Sequence, residues 1–402
     1  MKVWERFLNY VAMDTQSRED AGCTPSTPGQ MELAKLLVKE MQELGLEDVH
    51  VDEHSYAYGK LPASEGWEKE PCIGLIAHVD TCPDYPGKDV KPRIVKNYQG
   101  GDIELGHGLV LSTADFPSLN GKIGHDLIVT DGSTLLGADD KAGIAQILTA
   151  CQQIIEQGLP HRGLSLCFCP DEEIGHGAAL LDIDSFGADF GYTMDGGAVD
   201  ELNYETFNAA GAHIQIRGRN VHPGSAKGIM VNAALLASEL IESLPKDEIP
   251  AKTEDREGFF HLCDMKGSCA SAELDLIIRD HDAQRFCQRK QLLEKLCDEL
   301  DRRYGPGRVS LEIHDEYKNM AVAMEGHMDI VERAKRAMEA QGLKPRILPV
   351  RGGTDGAQLS FRGLLCPDMG TGGEAYHGPY EHISIQDMEK AVVVICELAC
   401  GS

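Results

Sequence analysis

The feature that most constrains the fold is the alternation, in the first half of the chain, of short apolar runs with stretches of helical periodicity. Residues 72–77 (C-I-G-L-I-A) and 164–169 (L-S-L-C-F-C) have the length and composition of buried strands. Residues 31–44 and 141–157 carry apolar residues at helical spacing, and each stretch is followed by a glycine. This alternation predicts an α/β domain with a mixed, mostly parallel sheet and covering helices.

A different pattern occupies the middle of the chain. Residues 212–217 (A-H-I-Q-I-R) and 272–278 (A-E-L-D-L-I-I) alternate apolar with other residues, as half-buried antiparallel strands do. Helical patterns around 231–243 and 283–303 separate the strands, and 309–313 (V-S-L-E-I) forms the last one. The order β-α-β-α-β predicts an α+β module.

The α/β pattern returns from about residue 317, with a predicted helix at 329–341 and a predicted strand at 346–350. A chain of 402 residues is long enough for at least two domains. We therefore predict an α/β domain built from residues 1–206 and 317–402, interrupted by the α+β domain at 207–316.

The charge and the cysteine content of the chain limit the partners it can bind and the cellular compartment in which it is expected. With 65 acidic against 38 basic residues the net charge is -27, which disfavours nucleic acid and membrane surfaces as partners. The 13 cysteines are scattered and contain no C-x-x-C pair, so neither a zinc ribbon nor a thioredoxin motif is available. The charged N-terminus, M-K-V-W-E-R, does not resemble a signal peptide, and no run reaches the length of a membrane span. We expect a reduced, cytoplasmic protein.

Histidine and acidic residues recur at the ends of apolar runs, where α/β sheets build their sites. In A-H-V-D-T at 77–81, Asp80 lies two residues after His78, on the same side of an extended chain. Asp80 can therefore fix the tautomer of a metal-binding His78, although a purely structural hydrogen-bonded pair is the alternative. In G-A-D-D-K-A-G at 137–143, Asp139 or Asp140 could cap the next helix, or a carboxylate there could bridge two cations.

Three further segments complete this set. In P-D-E-E-I-G at 170–175, one glutamate could bind metal while its neighbour acts as base, unless the loop is simply solvated. Asp195 ends an apolar run in T-M-D-G-G and could equally be part of an Asp-Gly turn. His377 lies in the Gly-rich loop Y-H-G-P-Y-E-H, where a lone His is usually a surface residue. Together, two histidines and several carboxylates are typical of a two-metal hydrolytic site that suits zinc, with cobalt or manganese as substitutes.

These segments also resemble a known family. The chain is similar, nearly end to end, to the peptidase T family of tripeptide aminopeptidases, in the dizinc exopeptidase superfamily that includes aminoacylases and glutamate carboxypeptidases. The resemblance is carried by several segments: A-H-V-D-T, L-L-G-A-D-D-K-A-G-I-A, P-D-E-E, T-M-D-G-G, N-V-H-P-G-S-A-K-G, M-K-G, I-I-R-D and R-G-G-T-D-G-A-Q-L-S. It implies a zinc-dependent exopeptidase domain with an inserted ferredoxin-like lid and dimerisation domain, and a homodimer.

The resemblance implies a role for each matching residue. His78 and Asp195 would hold one zinc, and Glu173 and His377 the other. Asp140 would bridge the two Zn²⁺.

The remaining roles concern the reaction and the substrate. Asp80 would orient His78, and Glu172 would be the general base that takes a proton from the shared water. His222, from the lid, would lie near the oxyanion, and Arg279 and Arg351 would contact the substrate.

The residues alone leave other interpretations open for the last three. His222 could be a turn residue before Pro223. Arg279 could pair with Asp280 or another acid, and Arg351 with Asp355.

The loop around His377 departs from the family pattern, with Glu374 before it and Pro379 after it. An extra carboxylate beside the metals could attract a substrate ammonium or raise a neighbouring pKa.

The sequence thus predicts a zinc aminopeptidase that releases the N-terminal residue of short peptides, most of all tripeptides. The alternative on the same scaffold is a dipeptidase or an N-acyl amino acid deacylase. A non-catalytic binding protein is disfavoured because Glu172 and all five predicted ligands are present. A phosphate-binding enzyme built on R-G-G-T-D-G is disfavoured because the segment lacks the lysine of a P-loop.

Overall fold

A computed structural model describes residues 1–401, which form two compact units. The larger unit comprises residues 1–204, 323–348 and 354–402, of which Ser402 lies outside the described residues. The smaller unit comprises residues 205–322 and 349–353.

The first 204 residues contain most of the larger unit's secondary structure. Its helices and strands, in chain order, are α1 (Val3–Val11), α2 (Pro28–Leu44), β1 (Glu47–Val51), β2 (Ala57–Leu61), β3 (Ile73–His78), β4 (Arg93–Val95), β5 (Ile103–Gly106), β6 (Leu109–Leu111), β7 (Leu127–Val129), α3 (Ala138–Gln157), β8 (Leu164–Cys169), α4 (Ile183–Phe186), β9 (Phe190–Gly196) and β10 (Glu201–Asn203). The ends of α2 follow from local chemistry, since Pro28 starts the helix and Gly45 ends it with φ = 82°.

The smaller unit is a four-stranded antiparallel sheet with two helices. Its elements are β11 (Asn208–Arg217), α5 (Ala233–Ser243), β12 (Phe259–Gly267), β13 (Ser271–Asp280), α6 (Ala283–Tyr304) and β14 (Val309–Tyr317). The spatial order β12-β13-β11-β14 with the chain order β-α-β-β-α-β is the ferredoxin-like arrangement. One face of the sheet packs on α5 and α6 through a core that includes Ile214, Leu240, Leu276, Ile278 and Leu293.

The remaining elements complete the chain. They are α7 (Ala321–Met324), α8 (Met328–Ala340), β15 (Arg346–Ile347), α9 (Asp355–Phe361), β16 (Asp368–Gly370), β17 (Gly373–Glu374), β18 (His382–Ser384) and α10 (Ile385–Cys400). Ser384 begins α10 by accepting a hydrogen bond from the Asp387 N–H at 3.1 Å.

The central sheet of the larger unit has eight strands in the order β1-β2-β8-β3-β9-β16-β10-β15. The run β8-β3-β9-β16 is parallel throughout, and β10 pairs with β15 in parallel, whereas the other neighbours are antiparallel. A second sheet, β17-β18-β7-β4, is antiparallel. The sheet is therefore mixed, and its parallel centre brings the carboxyl ends of β8, β3 and β9 to one edge.

Two local predictions were wrong. The strand β12 was not predicted; it lies at the sheet edge and is exposed over most of its length, so its sequence lacks the expected alternation. The strand predicted at 346–350 is only Arg346–Ile347, and Pro349 has no N–H with which to continue the ladder. Within residues 1–401, no helix has both the length and the apolarity needed to cross a membrane.

Candidate metal centre

Three neighbouring strands of the central sheet deliver the first site residues. Strand β3 ends at His78, β8 is followed directly by the turn that carries Glu172 and Glu173, and Asp195 lies near the end of β9. These strands are parallel neighbours, with His78 paired to Cys169 at the last register position of β3 and β8. The side chains therefore meet at the carboxyl edge of the sheet.

His78 is buried among acidic groups. Its Nε2 lies 2.8 Å from Asp139 Oδ1 and 3.3 Å from Asp195 Oδ1, and its backbone N–H donates to Asp140 Oδ2 at 3.2 Å. Burial alone would lower the pKa of the imidazole, but the charge of Asp195 and hydrogen bonds with Asp139, Asp195 and Asp80 raise it well above its usual value. The ring is therefore surrounded by groups that favour a cation.

Asp80 joins two parts of the site. It is fully buried, and its Oδ1 lies 3.3 Å from His78 Nδ1. The same carboxylate accepts the backbone N–H of Glu172 at 3.0 Å and that of Glu173 at 3.2 Å. It thus contacts the imidazole on one strand and fixes the acidic turn that follows the neighbouring strand.

Asp140 is buried at the start of α3, where Asp139 and Asp140 have non-helical backbone angles. Its Oδ1 accepts the Gly143 N–H at 3.0 Å, so the predicted capping contact exists beside any role in metal binding. A Cβ on Gly143 would lie 2.1 Å from the Met194 carbonyl oxygen and 2.4 Å from Asp140 Oδ1. Only glycine lets α3 approach β9 this closely.

His377 and Glu173 face each other across the site. His377 Nε2 lies 3.0 Å from Glu173 Oε2 and 3.3 Å from Asp139 Oδ2. The backbone of His377 is left-handed, with φ = 62°, a conformation that costs energy in a residue with a side chain. The preceding residue, Tyr376, anchors the loop by donating its hydroxyl hydrogen bond to the Gly196 carbonyl at 3.0 Å, beyond Asp195 at the end of β9.

Glu172 lies on the same turn as Glu173 but has a different environment. Burial raises its pKa well above the usual value, and the nearby charge of Asp355 adds to the effect. Asp355 is buried at the start of α9, its Oδ1 has no hydrogen-bond partner among the described residues, and burial raises its pKa to about 7. A carboxyl group with a raised pKa can accept and return a proton near neutral pH.

The donor atoms fall into two overlapping groups that fit divalent cations. One comprises His78, Asp140 and Asp195 and the other His78, Asp139 and Glu173, with the donor atoms of each group within 4.8 Å of one another. Burial raises the pKa of Asp140 and Asp195 well above the usual value and also raises that of Glu173. Glu173 Oε1 is buried and has no hydrogen-bond partner within residues 1–401, and a bound cation would satisfy it. Imidazole nitrogen and carboxylate oxygen are ligands that zinc accepts.

Several supporting residues were not singled out from the sequence. Asp368 on β16 accepts hydrogen bonds from the Thr193 hydroxyl at 2.9 Å and from the Asp195 N–H at 3.1 Å. Glu381 accepts the N–H groups of Leu136 at 2.6 Å, Gly137 at 2.9 Å and Asp139 at 3.1 Å. The only sequence signal for Glu381 is its place in the motif Y-H-G-P-Y-E-H.

The other three predicted site residues belong to the smaller unit. His222 begins a short 3₁₀ turn at Pro223–Ser225, and its exposed ring Nδ1 accepts the Gly224 N–H at 3.1 Å. This is the contact expected of a turn residue before a proline.

Both arginines have partners within the smaller unit. Arg279 pairs with Glu316 at 2.9 Å, and its guanidinium carbon lies 5.4 Å from the centre of the Tyr317 ring. Arg351 donates to the carbonyl oxygens of Asp255 at 2.9 Å and Glu257 at 3.0 Å and to the Thr253 hydroxyl at 2.9 Å. It also stacks over two phenylalanine rings of that unit. The ion pair with an acid, which was the alternative interpretation of Arg279, is therefore present, and the acid is Glu316.

Of the two effects expected of Glu374, a raised neighbouring pKa is present, whereas a free site for a substrate ammonium is not. Its carboxylate forms an ion pair with Lys122 at 3.0 Å, and Lys122 also binds Asp387 at 2.6 Å. The charges of Glu374 and Asp387 raise the pKa of this lysine although burial opposes them. The carboxylate of Glu374 is therefore paired with an internal cation and does not form a free site for a substrate ammonium.

An α/β fold with carboxylates and imidazoles gathered at the edge of a parallel sheet defines the class of metal-dependent hydrolases. The chain belongs to peptidase family M20/M25/M40, whose sequence profile matches residues 130–400.

Similarity to known proteins is nearly end to end. The chain is 50% identical over 398 residues to peptidase T of Clostridium perfringens (strain 13 / Type A), covering 99% of this chain and 98% of that relative. Aminopeptidase PepT of Bacillus cereus superposes with a TM-score of 0.78 at 24% identity, covering 99% and 97% of the two chains. The Bacillus subtilis YXEP protein, described as a dinuclear metal-binding peptidase, superposes with a TM-score of 0.65 at 13% identity, covering 98% and 96%. These structural matches extend the agreement in fold over both units.

Proposed function

We propose that this protein is a metallo-aminopeptidase that removes the N-terminal residue from short peptides, with tripeptides as the preferred substrates. The observation that carries the proposal is the meeting of His78, Asp140, Glu173 and Asp195 with the protonatable Glu172 at one sheet edge. The near full-length similarity to peptidase T, at 50% identity, supports the substrate class.

The proposed ligands form two sets joined by one carboxylate. We propose that His78 and Asp195, with Asp140 beside them, would hold one Zn²⁺ and that Glu173 and His377 would hold the other. Asp139 is the proposed bridge in place of Asp140, because its Oδ1 lies 2.8 Å from His78 Nε2 and its Oδ2 lies 3.3 Å from His377 Nε2. Both oxygens of Asp140 accept backbone N–H groups. When bound, two such cations lower the pKa of a shared water and polarise the scissile carbonyl. Co²⁺ and Mn²⁺ are proposed substitutes, because imidazole and carboxylate ligands suit them as well.

Glu172 is the proposed general base. Its raised pKa suits it to take a proton from the attacking water and to give that proton to the departing amine. Asp80 contributes by holding the His78 ring and the backbone of the turn that carries Glu172. Neither step requires Glu172 to bind a cation.

We propose that the smaller unit is a lid and dimerisation domain, which contacts the substrate and forms the interface of a homodimer. His222 is proposed to stabilise the oxyanion, and Arg279 and Arg351 to contact the peptide. The strand β12 is an exposed edge of this unit's sheet, and an edge strand can pair with another copy of the chain, which supports a homodimer. All 13 cysteines are free in the structure, which supports a reducing, cytoplasmic compartment.

The test is a mass-spectrometric time course with protein loaded with zinc or cobalt. The substrates are a matched di-, tri- and tetrapeptide together with the N-acetylated tripeptide, and the control variant is Glu172→Gln. We expect loss of only the first residue of the free tripeptide, with a rate that falls by about 10²–10⁴ in Glu172→Gln while metal content is unchanged. Cleavage of the dipeptide or the acetylated peptide instead would assign the protein to the dipeptidases or deacylases.

A further inference from the structure

A third group of metal-binding side chains lies beside the proposed zinc ligands. It consists of Cys82, Asp84 and His377, whose sulfur, carboxylate oxygen and ring nitrogen lie within 4.8 Å of one another. Cys82 and Asp84 follow β3 in the segment H-V-D-T-C-P-D, and neither belongs to the two donor groups described above. The group therefore shares only His377 with the proposed catalytic centre.

The arrangement combines a buried donor with exposed ones. Cys82 is 3% exposed, and its sulfur is oriented by the Asp84 N–H at 3.4 Å. The side chain of His377 is 45% exposed, and Asp84 is exposed. A cation can thus reach the group from solvent and find a sulfur, a nitrogen and an oxygen ligand. The thiolate ligand favours thiophilic divalent ions such as Cd²⁺, and the site is expected to bind Zn²⁺ as well.

We propose that Cys82, Asp84 and His377 form a separate, inhibitory site for thiophilic divalent cations. When the cation binds, the sulfur–metal bond replaces the S–H bond and the thiol proton passes to solvent. His377 Nε2 lies 3.0 Å from Glu173 Oε2. A cation that binds this nitrogen at the Cys82 site displaces the imidazole from Glu173, and one that binds the other ring nitrogen places a second positive charge beside the Glu173 site. In either case occupancy of the Cys82 site weakens cation binding at Glu173.

The binding part of this inference is independent of the activity, whereas the inhibition rests on the proposed function. The experiment consequently has a spectroscopic readout and a kinetic one. Cobalt-loaded full-length protein is first treated with iodoacetamide, which alkylates exposed cysteines such as Cys23, Cys263 and Cys287 but leaves the buried Cys82 intact. Cd²⁺ is then titrated while the ultraviolet thiolate-to-cadmium charge-transfer band and the visible cobalt spectrum are recorded.

We expect the wild type to show one thiolate–cadmium band together with a change in the cobalt spectrum. In Cys82→Ala the band should be lost, and cadmium affinity should fall at least roughly tenfold. Cys151→Ala, which removes another buried cysteine of the larger unit, should retain both signals. Asp84→Asn, a change at an exposed position with little risk to folding, should weaken cadmium binding as well.

Inhibition of peptide hydrolysis by Cd²⁺ is measured for each variant relative to its own rate before cadmium is added. The concentration for half-inhibition should rise at least roughly tenfold in Cys82→Ala and remain unchanged in Cys151→Ala. A band that persists in Cys82→Ala, or cadmium affinity unaffected by both Cys82→Ala and Asp84→Asn, overturns the inference. If the wild type hydrolyses no peptide but shows the Cys82-dependent band, the proposed function fails and the cation site stands.

Discussion

Asp171, Glu172 and Glu173 are consecutive acids whose surroundings give them separate tasks. Asp171 has φ = 56° and a buried carboxylate that accepts hydrogen bonds from the Ser26 N–H at 2.8 Å and from Gln30 at 2.7 Å. These hydrogen bonds hold the loop after β8 against the start of α2. Glu173 lies in a donor group, and Glu172 has a raised pKa without belonging to one. Side-chain direction, which composition does not reveal, therefore separates structural, ligand and base roles.

Gly143 allows a sharp test at the residue scale. In Gly143→Ala the new methyl group would overlap the Met194 carbonyl and the Asp140 carboxylate, so α3 or Asp140 must move. We expect a loss of about 1–3 kcal/mol in the free energy of unfolding, together with weaker metal binding. Thermal unfolding and competition with a chelator measure the two effects.

The matched control for Gly143 is Gly121→Ala. A Cβ at Gly121 meets no atom of the described part of the chain within 4 Å, so this substitution should leave metal affinity unchanged. Equal metal affinity in both variants would mean that the approach of α3 to β9 does not position Asp140.

Single carboxylates connect elements of the larger unit. Glu381 precedes β18 by one residue and accepts three N–H groups of the segment 136–139, which leads into Asp140. The same loop carries His377 four residues earlier. Glu381 therefore positions the start of α3 against the His377 loop, and it acts through these elements because its own oxygens are occupied by backbone donors.

We predict that Glu381→Gln lowers metal affinity about 10–100-fold, because the new amide nitrogen cannot accept a backbone hydrogen bond. Isothermal titration with Zn²⁺ after chelator treatment measures the effect. Asp301→Asn is the control, since Asp301 likewise accepts three backbone N–H groups, but in the smaller unit. If both variants bind Zn²⁺ as tightly as the wild type, Glu381 contributes only to folding.

The sequence patterns identify elements better than they identify the supporting contacts. The run 164–169 corresponds to β8 residue for residue, because a strand buried on both faces is apolar throughout. The pairing of His78 with Asp80 was also predictable, because two-residue spacing along an extended chain is a local property. By contrast, Glu381 binds Asp139 across 242 residues of sequence, and Asp368 binds Asp195 across 173. Such contacts depend on tertiary packing, and no local pattern encodes them.

At the scale of the whole molecule, the chain is strongly acidic, with a net charge of -27. Several of its acidic residues are buried around the candidate metal centre. Burial raises the pKa of Asp355, Asp368 and Glu381 to about 7 each. In an unfolded chain such groups ionise near pH 4. Between about pH 4 and pH 7 the folded protein without metal therefore binds more protons than the unfolded chain does.

This difference determines how stability depends on pH. When the folded state binds more protons, raising the pH lowers the free energy of unfolding. The contribution of Asp355, Asp368 and Glu381 is therefore fully present below about pH 4 and is lost as the pH rises through about 7. Bound cations oppose the loss, because they favour the ionised carboxylates around them.

We accordingly predict that chelator-treated protein becomes less stable between pH 5 and about pH 7.5, whereas zinc-loaded protein becomes more stable or is unchanged over that range. Thermal unfolding of both forms in matched buffers measures this, with the metal-loaded form also stabilised in proportion to the logarithm of free zinc concentration. The variant Glu381→Gln should flatten the curve of the chelator-treated protein, because it removes one of the three titrating groups. Chelator-treated and zinc-loaded proteins with the same pH dependence would show that the ionisation of these buried carboxyl groups is not linked to metal binding.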